Sequence, residues 1–315
     1  MQFDDALWKN ILEDLFVDFL RFFFPNADEV FDFDKGVTFL DKEMAAIARD
    51  KKPTPSKYVD KLGKLFTKDG GEHWALCQVE AQGYIDKHLG LRMFSYWTRI
   101  HERYGQRITA IAIFTDNNPR YSPSEYRSGF MGTEVLYKFN TYKVRNQDEK
   151  ELEKNDNPFA FVILAVLLAL KKGKLTDDNL LDLKIGLIRR LLRQKFPRAK
   201  IDAIFYFIGH YVSFSDPEKQ LIFEKEIEII TENNKTMGVV ELIRERKTQE
   251  LLQKGREEGI EKGLKQGKVE GKAEGKSEVV RNLILKLGLS DTQAADVAGV
   301  SEAFVKKVRA SLKKK

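Results

Sequence analysis

The segment "KYVDKLGKLFTKDGGEHWALCQVEAQGY", residues 57–84, decides the fold. Two runs of strand-forming residues flank "DGG" at 69–71, a strong turn signal, so the segment predicts a β-hairpin. Side chains alternate between the two faces of a strand, and the second run alternates between small apolar and polar residues. These two sets are Ala75, Cys77, Val79 and Ala81 against Gln78, Glu80 and Gln82.

Two acids in this hairpin predict a cation site. Asp60 and Glu80 each lie ten residues from Gly70, so we expect them directly opposite each other, with Cβ atoms about 4.5–5.5 Å apart. Two adjacent carboxylates repel unless a cation lies between them or one is protonated. Hard oxygen ligands favour Mg²⁺, which also bridges to phosphate oxygens. Gln82 shares the face and can hold a metal-bound water.

The flanking sequence predicts an α/β fold, a mixed sheet flanked by helices, with a helical C-terminal half. Apolar residues at helical spacing run over 7–24, where Pro25 ends the helix. Further elements are a short helix in 39–50, a helix over 86–105 closed by Gly105, strands over 107–117 and 133–144, and helices over 158–172, 176–194, 198–211 and 216–231.

We divide the chain into a core at 1–150, a helical extension at 151–250, a charged segment at 251–276 and a basic tail at 277–315. The charged segment has glycine at every fourth position from 255 to 275. It is either a solvated, partly helical linker or a seam through which the chain forms homo-oligomers.

The tail "TQAADVAGVSEAFVKKVRA" predicts a helix, a short turn and a second helix that displays Lys306, Lys307 and Arg309. Over 277–315, eight basic residues stand against four acidic ones, a net charge of +4. Two interpretations remain open: a helix-turn-helix that binds DNA, and a small helical packing or oligomerisation unit.

Composition limits the classes of function. The net charge of +6 and pI near 9.0 favour polyanionic partners such as nucleic acid. One cysteine, Cys77, excludes an internal disulfide framework, and four histidines make a structural zinc site unexpected. We expect no signal peptide and no membrane span, because the longest apolar run, 158–170, is shorter than the roughly 20 residues that a span needs. These features predict a cytoplasmic protein.

The order of these motifs carries a resemblance. The chain resembles the PD-(D/E)XK nuclease superfamily in the order of its motifs: Asp60, then Glu80-Ala81-Gln82 on the next strand, then a helix and a hydrophobic strand. The stretches "FLDKEM", "QVEAQGY", "RMFSYWTRIHERYG" and "FNTYKV", with the glycine-periodic segment, look like the Rpn, or YhgA-like, transposase-associated nuclease family. The similarity covers residues 1–145 and extends more loosely to about residue 250.

The resemblance implies a Mg²⁺-dependent DNA endonuclease, for which Mn²⁺ can substitute, with a role in recombination or transposition. It implies that Asp60, Glu80 and the backbone carbonyl of Ala81 bind the metal, and that Asp60, Glu80 and Gln82 are catalytic. Two positions depart from the superfamily pattern: Gln82 replaces the usual lysine, and Val59 replaces the proline. Glutamine can orient a water molecule, but it supplies no positive charge to the transition state.

Two further residues are candidates for this site. Arg92 and Tyr96 share a helix face, so Arg92 is either a phosphate contact or a surface arginine beside a packed tyrosine. Glu43 in "LDKEM" is either an additional acid at the metal, as the resemblance implies, or a partner of the helix dipole.

Two alternatives to an active nuclease remain. The first is a nuclease fold with weak or no catalysis that acts as a DNA-binding or assembly factor. The second is a helical interaction protein whose polar strand face is only solvated. The presence of both Asp60 and Glu80 argues against the first. The apolar strand at 107–114 argues against the second, because it needs cover on at least one face, which leaves only the other face free to be a site.

Overall fold

The computed structural model describes residues 2–40, 58–80, 86–233 and 274–312, with side chains except at 2–5, 58–60, 77–80 and 231–233. The chain forms two compact units, residues 1–240 and 241–315. The predicted core and residues 151–240 of the predicted helical extension thus lie within one unit. Of the predicted short helix at 39–50, residues 41–50 lie outside the described ranges, and residue 39 belongs to a strand.

A five-stranded mixed sheet forms the centre of the first unit, which confirms the expected α/β class. Its strands, in spatial order, are β1 (Thr38–Phe39), β2 (Tyr58–Phe66), β3 (Glu72–Glu80), β4 (Arg107–Phe114) and β7 (Asn140–Lys143). β1, β2 and β3 pair antiparallel, as the predicted hairpin requires, and β3, β4 and β7 pair parallel.

The strand predicted over 133–144 is wrong as a single element. Its first part, β6 (Thr133–Lys138), pairs with the unpredicted strand β5 (Glu125–Phe130) in a separate two-stranded ribbon, and only β7 joins the main sheet. The break falls at Phe139, which is buried and donates its N–H to the carbonyl of Ser124 at 3.0 Å. Burial of this ring in the core redirects the chain between ribbon and sheet.

Helix α4 (Leu89–Tyr104) covers one face of the sheet, as the sequence predicts. It ends at Gly105, whose φ of 65° is the left-handed conformation of a helix C-cap. Its apolar side packs on side chains from β2, β3 and β4 in one cluster, which includes Leu62, Trp74, Leu76, Leu89, Met93, Ile100, Ala110 and Phe114.

Helices cover the other face. The helix predicted over 7–24 is two helices, because Leu15 leaves helical geometry with φ −124° and ψ 24°. Phe16 directly after this break lies against Gly63 of β2, where an added Cβ would come within 2.6 Å of the ring.

Besides α4, the described part of this unit contains further helices and three 3₁₀ turns. The helices are α1 (Gln2–Asp14), α2 (Phe16–Phe23), α3 (Ala27–Val30), α5 (Glu149–Lys154), α6 (Phe159–Leu170), α7 (Asp177–Leu192), α8 (Arg198–Tyr211) and α9 (Pro217–Asn233), and the 3₁₀ turns are at 33–35, 144–146 and 172–174.

The apolar run at 158–170 forms α6, in which every residue but one is buried. It packs against α7 and α8, so its apolar surface is covered by protein, as expected of a buried helix. In the ranges that the structure describes, no helix is both long and apolar enough to cross a membrane.

In the second unit, the described part consists of α10 (described over residues 274–287), α11 (Asp291–Ala298) and α12 (Glu302–Leu312). The predicted helix, turn and helix of the tail are present. Residues 251–273 lie outside the described ranges, and with them nearly all of the glycine-periodic segment, for which a linker and a self-association seam are the two interpretations.

Candidate active site

The register of the β2–β3 hairpin places the two predicted metal ligands diagonally. Asp60 pairs with Gln78, and Glu80 pairs with Tyr58. The expectation that Asp60 and Glu80 are directly opposite is therefore wrong by two residues. The ladder is centred on Asp69 and not on Gly70.

Hydrogen bonds within the turn centre the hairpin there. The Thr67 N–H donates to the Gly71 carbonyl at 2.9 Å, and the Gly71 N–H donates to Asp69 Oδ1 at 3.0 Å. Gly70 adopts a φ of 85°, which favours glycine. Hydrogen bonds from the Thr67 hydroxyl and then from the Gly71 N–H hold the pKa of the Asp69 carboxyl below its usual value. A charged, hydrogen-bonded Asp69 thus sets the register of both strands.

The diagonal register still leaves positions 60 and 80 on one face of the sheet. Residues paired across a ladder share a face, and so do alternate residues along a strand, so positions 60, 78 and 80 lie together. Diagonal neighbours have Cβ atoms about 7–8 Å apart in a regular ladder. This spacing weakens the repulsion between two carboxylates relative to direct opposition, and it is compatible with a shared cation.

That face is not the free face that the sequence suggests. Leu62, Trp74 and Leu76 alternate with the same parity as positions 60, 78 and 80, and they are buried in the cluster under α4. The opposite face also has cover, since Lys61 is 2% exposed and its ammonium contacts Glu13 of α1. Along β3 the polar positions therefore follow the apolar ones on this covered face, at the carboxyl end of the strand.

Arg92 in the first turns of α4 is held by an acid of its own segment. Its Nη1 contacts Asp86 Oδ2, and the two side chains are 13% and 8% exposed. Asp86 Oδ1 also accepts the His88 N–H at 2.8 Å. Tyr96 is buried in the core under the helix. The structure thus gives Arg92 a partner that orients the segment entering α4, and a substrate phosphate would have to share the guanidinium with Asp86.

Sequence reasoning missed a cleft of about 600 Å³ beside this ion pair. Its walls are the segments that follow β3 and β4, residues 86–91 and 120–127. Since β3 and β4 are parallel, both segments leave from the carboxyl ends of strands, which is where ligands bind in open α/β sheets. Glu80 is the last residue of β3, so the cleft adjoins the end of the sheet that carries the predicted acids.

The rim of the cleft carries exposed cationic groups. Lys87 and Arg120 are exposed, and Arg127 is 68% exposed and lies 3.8 Å from Glu125. The remaining acid of the lining, Asp86, is neutralised by Arg92. A cleft with this balance of charges attracts anions such as phosphates. The basic residues in the two loops after parallel strands are the sequence signal that could have located it.

A second feature that the sequence did not suggest is a buried ion pair level with Glu80. In the parallel ladder Glu80 pairs with Phe114, and Phe114 pairs with Lys143. The Lys143 ammonium contacts Asp116 Oδ2 and lies 5.6 Å from the centre of the Phe114 ring. The pair fastens the loop after β4 to the edge strand β7, and that loop forms one wall of the cleft.

The other predicted site residues are not in the described part. Glu43, Ala81 and Gln82 lie outside the described ranges, and Asp60 and Glu80 are described by backbone and register alone. Within the ranges that the structure describes, no group of three His, Cys, Asp or Glu side chains is arranged to hold a metal ion.

Comparison of the chain with models of protein families, with curated proteins and with solved structures finds no match.

Proposed function

We propose that the 1–240 unit is a Mg²⁺-dependent DNA endonuclease of PD-(D/E)XK type that hydrolyses phosphodiester bonds, with a role in recombination or transposition. One observation supports this proposal most. Two acid positions share a face at the carboxyl end of β3, and the adjoining cleft has a cationic rim formed by the segments that leave β3 and β4. Metal-assisted hydrolysis of a phosphodiester uses acidic side chains to bind the cation. Basic side chains bind the phosphates of the substrate.

The donor set fits a hard divalent cation. Asp60 and Glu80 provide carboxylate oxygens from adjacent strands, and the carbonyl of Ala81 directly follows Glu80 in the chain. Mg²⁺ is commonly held by one or two carboxylates with water in the remaining positions. When bound there, the ion would polarise a phosphoryl oxygen and lower the pKa of a water molecule.

The residues around the acids have separate tasks in this proposal. Lys87, Arg120 and Arg127 bind the phosphates on either side of the scissile one, so they position the strand along the cleft. Gln82 orients the attacking water by hydrogen bonding. The Asp86–Arg92 pair holds the start of α4 in place, so Arg92 is a positioning residue in this scheme.

Plasmid nicking tests the proposal. Wild type, Asp60→Ala and Glu80→Ala are compared with Mg²⁺ and with Mn²⁺, and we expect each substitution to lower the cleavage rate by at least about a hundredfold. Asp34→Ala is the matched control. Asp34 is an exposed acid that follows Asp32, and the Asp32 N–H donates to Phe66 at the opposite end of the hairpin, so we expect wild-type cleavage. Equal rates of cleavage by all four proteins would rule out Asp60 and Glu80 as active-site residues.

A metal-binding measurement accompanies the cleavage assay. Calorimetric titration with Mn²⁺ should show a site in wild type and in Asp34→Ala that is weakened in Asp60→Ala and Glu80→Ala. Binding of the metal without cleavage by wild type would contradict the nuclease assignment.

The cationic rim also favours a second candidate, a nuclease-fold protein that binds DNA or assembles on it with little or no catalysis. The rim residues attract phosphates whether or not a metal is present. Wild type that binds DNA in EDTA and does not cleave with any divalent cation would establish this second function.

A further inference from the structure

The described part of the second unit is a three-helix arrangement with its own core. Helical residues 274–287 contribute Val280 and Ile284, α11 contributes Ala294 and Ala295, and α12 contributes Val305 and Val308. All six side chains are less than one tenth exposed. The tail is therefore a packed unit with a hydrophobic core of its own.

The connection between α11 and α12 has the geometry of a helix-turn-helix. Only residues 299–301 separate the two helices. Gly299 is left-handed with φ 57° and ψ 49°, and the Val300 N–H donates to the Ala295 carbonyl at 3.0 Å. A short turn with glycine at its first position, between helices that pack on each other, is the signature of this motif.

The ends of both helices are specified by their caps. Ser290 and Gln293 form a reciprocal capping box at the start of α11. At the start of α12, Ser301 Oγ accepts the Phe304 N–H at 3.3 Å. These caps set where each helix begins, so they also set which side chains of α12 face outward.

Two basic residues connect the helices of this unit. Arg309 pairs with Asp291 at 2.6 Å and donates to the Leu289 carbonyl at 2.9 Å, which ties α12 to the start of α11. Lys276 donates to the Gly299 carbonyl at 3.0 Å and ties residues 274–287 to the turn. The expectation that Arg309 is displayed with Lys306 and Lys307 is therefore wrong for Arg309.

The outward face of α12 is polar and has small residues between the charges. The exposed residues are Ser301, which directly precedes the helix, and Glu302, Ala303, Lys306, Lys307, Ala310 and Ser311. The exposed large apolar side chains in the described part of this unit belong to the other two helices: Val279, Leu285, Leu287 and Val297. Small residues allow close approach to a flat surface, and the charged ones supply hydrogen bonds there.

We infer that α12 is a recognition helix that enters the major groove of duplex DNA, as a sequence-reading site separate from the proposed cleavage site. A recognition helix contacts base edges through residues near its N-terminus, here Ser301, Glu302 and Ala303. A glutamate there can accept a hydrogen bond from the cytosine amino group, and the lysines contact guanine or phosphate. The net charge of +4 over 277–315 complements the phosphates.

Binding of full-length protein to duplex DNA in EDTA tests the inference without cleavage. Selection from a random duplex library should enrich one motif for wild type. Fluorescence anisotropy on that motif should show the Lys306→Glu, Lys307→Glu double variant binding roughly tenfold or more weakly, with a slope of log affinity against log salt reduced by about 2. Glu302→Ala should change the base preference at one or two adjacent positions of the motif.

The matched control is Lys286→Glu, a charge reversal at an exposed lysine of helical residues 274–287, for which we expect wild-type affinity and motif. Because the assay runs in EDTA and measures binding alone, failure of the cleavage proposal leaves this test intact. Three results would overturn the inference: no enriched motif, unchanged affinity of the double variant, or dissociation of an oligomer by that variant in light scattering, which would make the α12 face a protein interface.

Discussion

Asp116 and Lys143 form an ion pair in which each side chain is only 4% exposed. Asp116 follows β4 and Lys143 ends β7, so the pair joins a loop of the cleft to the edge of the sheet. The Lys143 ammonium also lies 5.9 Å from the centre of the Tyr121 ring, and Tyr121 lines the cleft. The contact thus couples the stability of the sheet edge to the shape of the proposed binding site.

Removal of one partner of this pair should lower the free energy of unfolding substantially. Asp116→Asn keeps an oxygen that can accept the Asn118 N–H but leaves a buried ammonium without its counter-charge, so we expect a loss of about 3–5 kcal/mol in the free energy of unfolding. Lys143→Met leaves a buried carboxylate and should lose a similar amount. The double variant should recover much of this loss, as measured by urea denaturation. If the loss of unfolding free energy in the double variant equalled the sum of the losses in the two single variants, that result would contradict an energetic coupling between Asp116 and Lys143.

Glycine at position 90 should be required for contact between α4 and the ribbon. A Cβ at Gly90 would come within 2.6 Å of the Glu125 carbonyl oxygen, a backbone atom that can move only with the strand. We expect Gly90→Ala to destabilise the protein by about 1–3 kcal/mol and to weaken DNA binding, because the cleft lies at this contact. Thermal denaturation and DNA titration measure the two effects.

The control for this substitution is Gly186→Ala. Gly186 is exposed within α7, and an added Cβ there meets no atom within 4 Å. Alanine should therefore stabilise the helix by about 0.5–1 kcal/mol and leave DNA binding unchanged. A stabilising Gly90→Ala would refute the close approach.

The tip of the ribbon should gain stability when its strained residue is replaced. Met131 has a φ of 46° and Gly132 a φ of 83°, and positive φ at both central positions is the type I′ turn that favours Asn-Gly. Met131 is 87% exposed, so its side chain contributes little packing. We expect Met131→Asn to raise the free energy of unfolding by about 0.5–1 kcal/mol. Met131→Leu, which keeps the strain, should leave it unchanged, and an equal gain for both variants would exclude strain as the cause.

Lys184 of α7 should make the stability of the protein depend on pH. Its ammonium donates to the carbonyls of Gly209 at 2.8 Å and Val212 at 2.7 Å, and it lies 3.9 Å from the centre of the Phe223 ring. Burial lowers the pKa of Lys184 from 10.5 to about 7, against a smaller opposing effect of Glu224. Between these two values the unfolded chain binds a proton that the folded chain does not.

Stability should consequently rise as pH increases from about 7 to about 10, by up to about 1.4 kcal/mol per pH unit from this group, and the contribution should be constant below pH 7. Urea denaturation of wild type and Lys184→Met at several pH values measures this pH dependence. The contributions of the other titrating groups cancel in the difference between the two free energies of unfolding. A difference that does not change with pH would show that Lys184 remains charged when folded.

The local elements with strong signals were predictable from the sequence. The turn residues at 69–71 predicted the hairpin, Gly105 predicted the end of α4, and the apolar run at 158–170 predicted a buried helix. Each of these signals acts within a few residues, through backbone conformation or through a continuous apolar surface. The ribbon of β5 and β6 was missed because β5 is almost entirely exposed and has no apolar alternation to reveal it.

For the candidate site, the sequence located the two acids in the hairpin but misjudged their pairing and their face. The register depended on hydrogen bonds of Asp69 and Thr67 inside the turn, which composition does not show. The cover over the polar face depended on α4, an element that starts nine residues after the hairpin ends.

By itself, then, the sequence determined which segments become helices and strands, the mixed α/β class and the packed helices of the tail, because turn residues, caps and apolar spacing act locally. Only the tertiary structure decided the diagonal register of Asp60 and Glu80, the cationic cleft and the burial of Asp116 with Lys143. Those relationships join residues from loops that follow different strands, and the distances between them follow from how the sheet and α4 pack, which no single segment encodes.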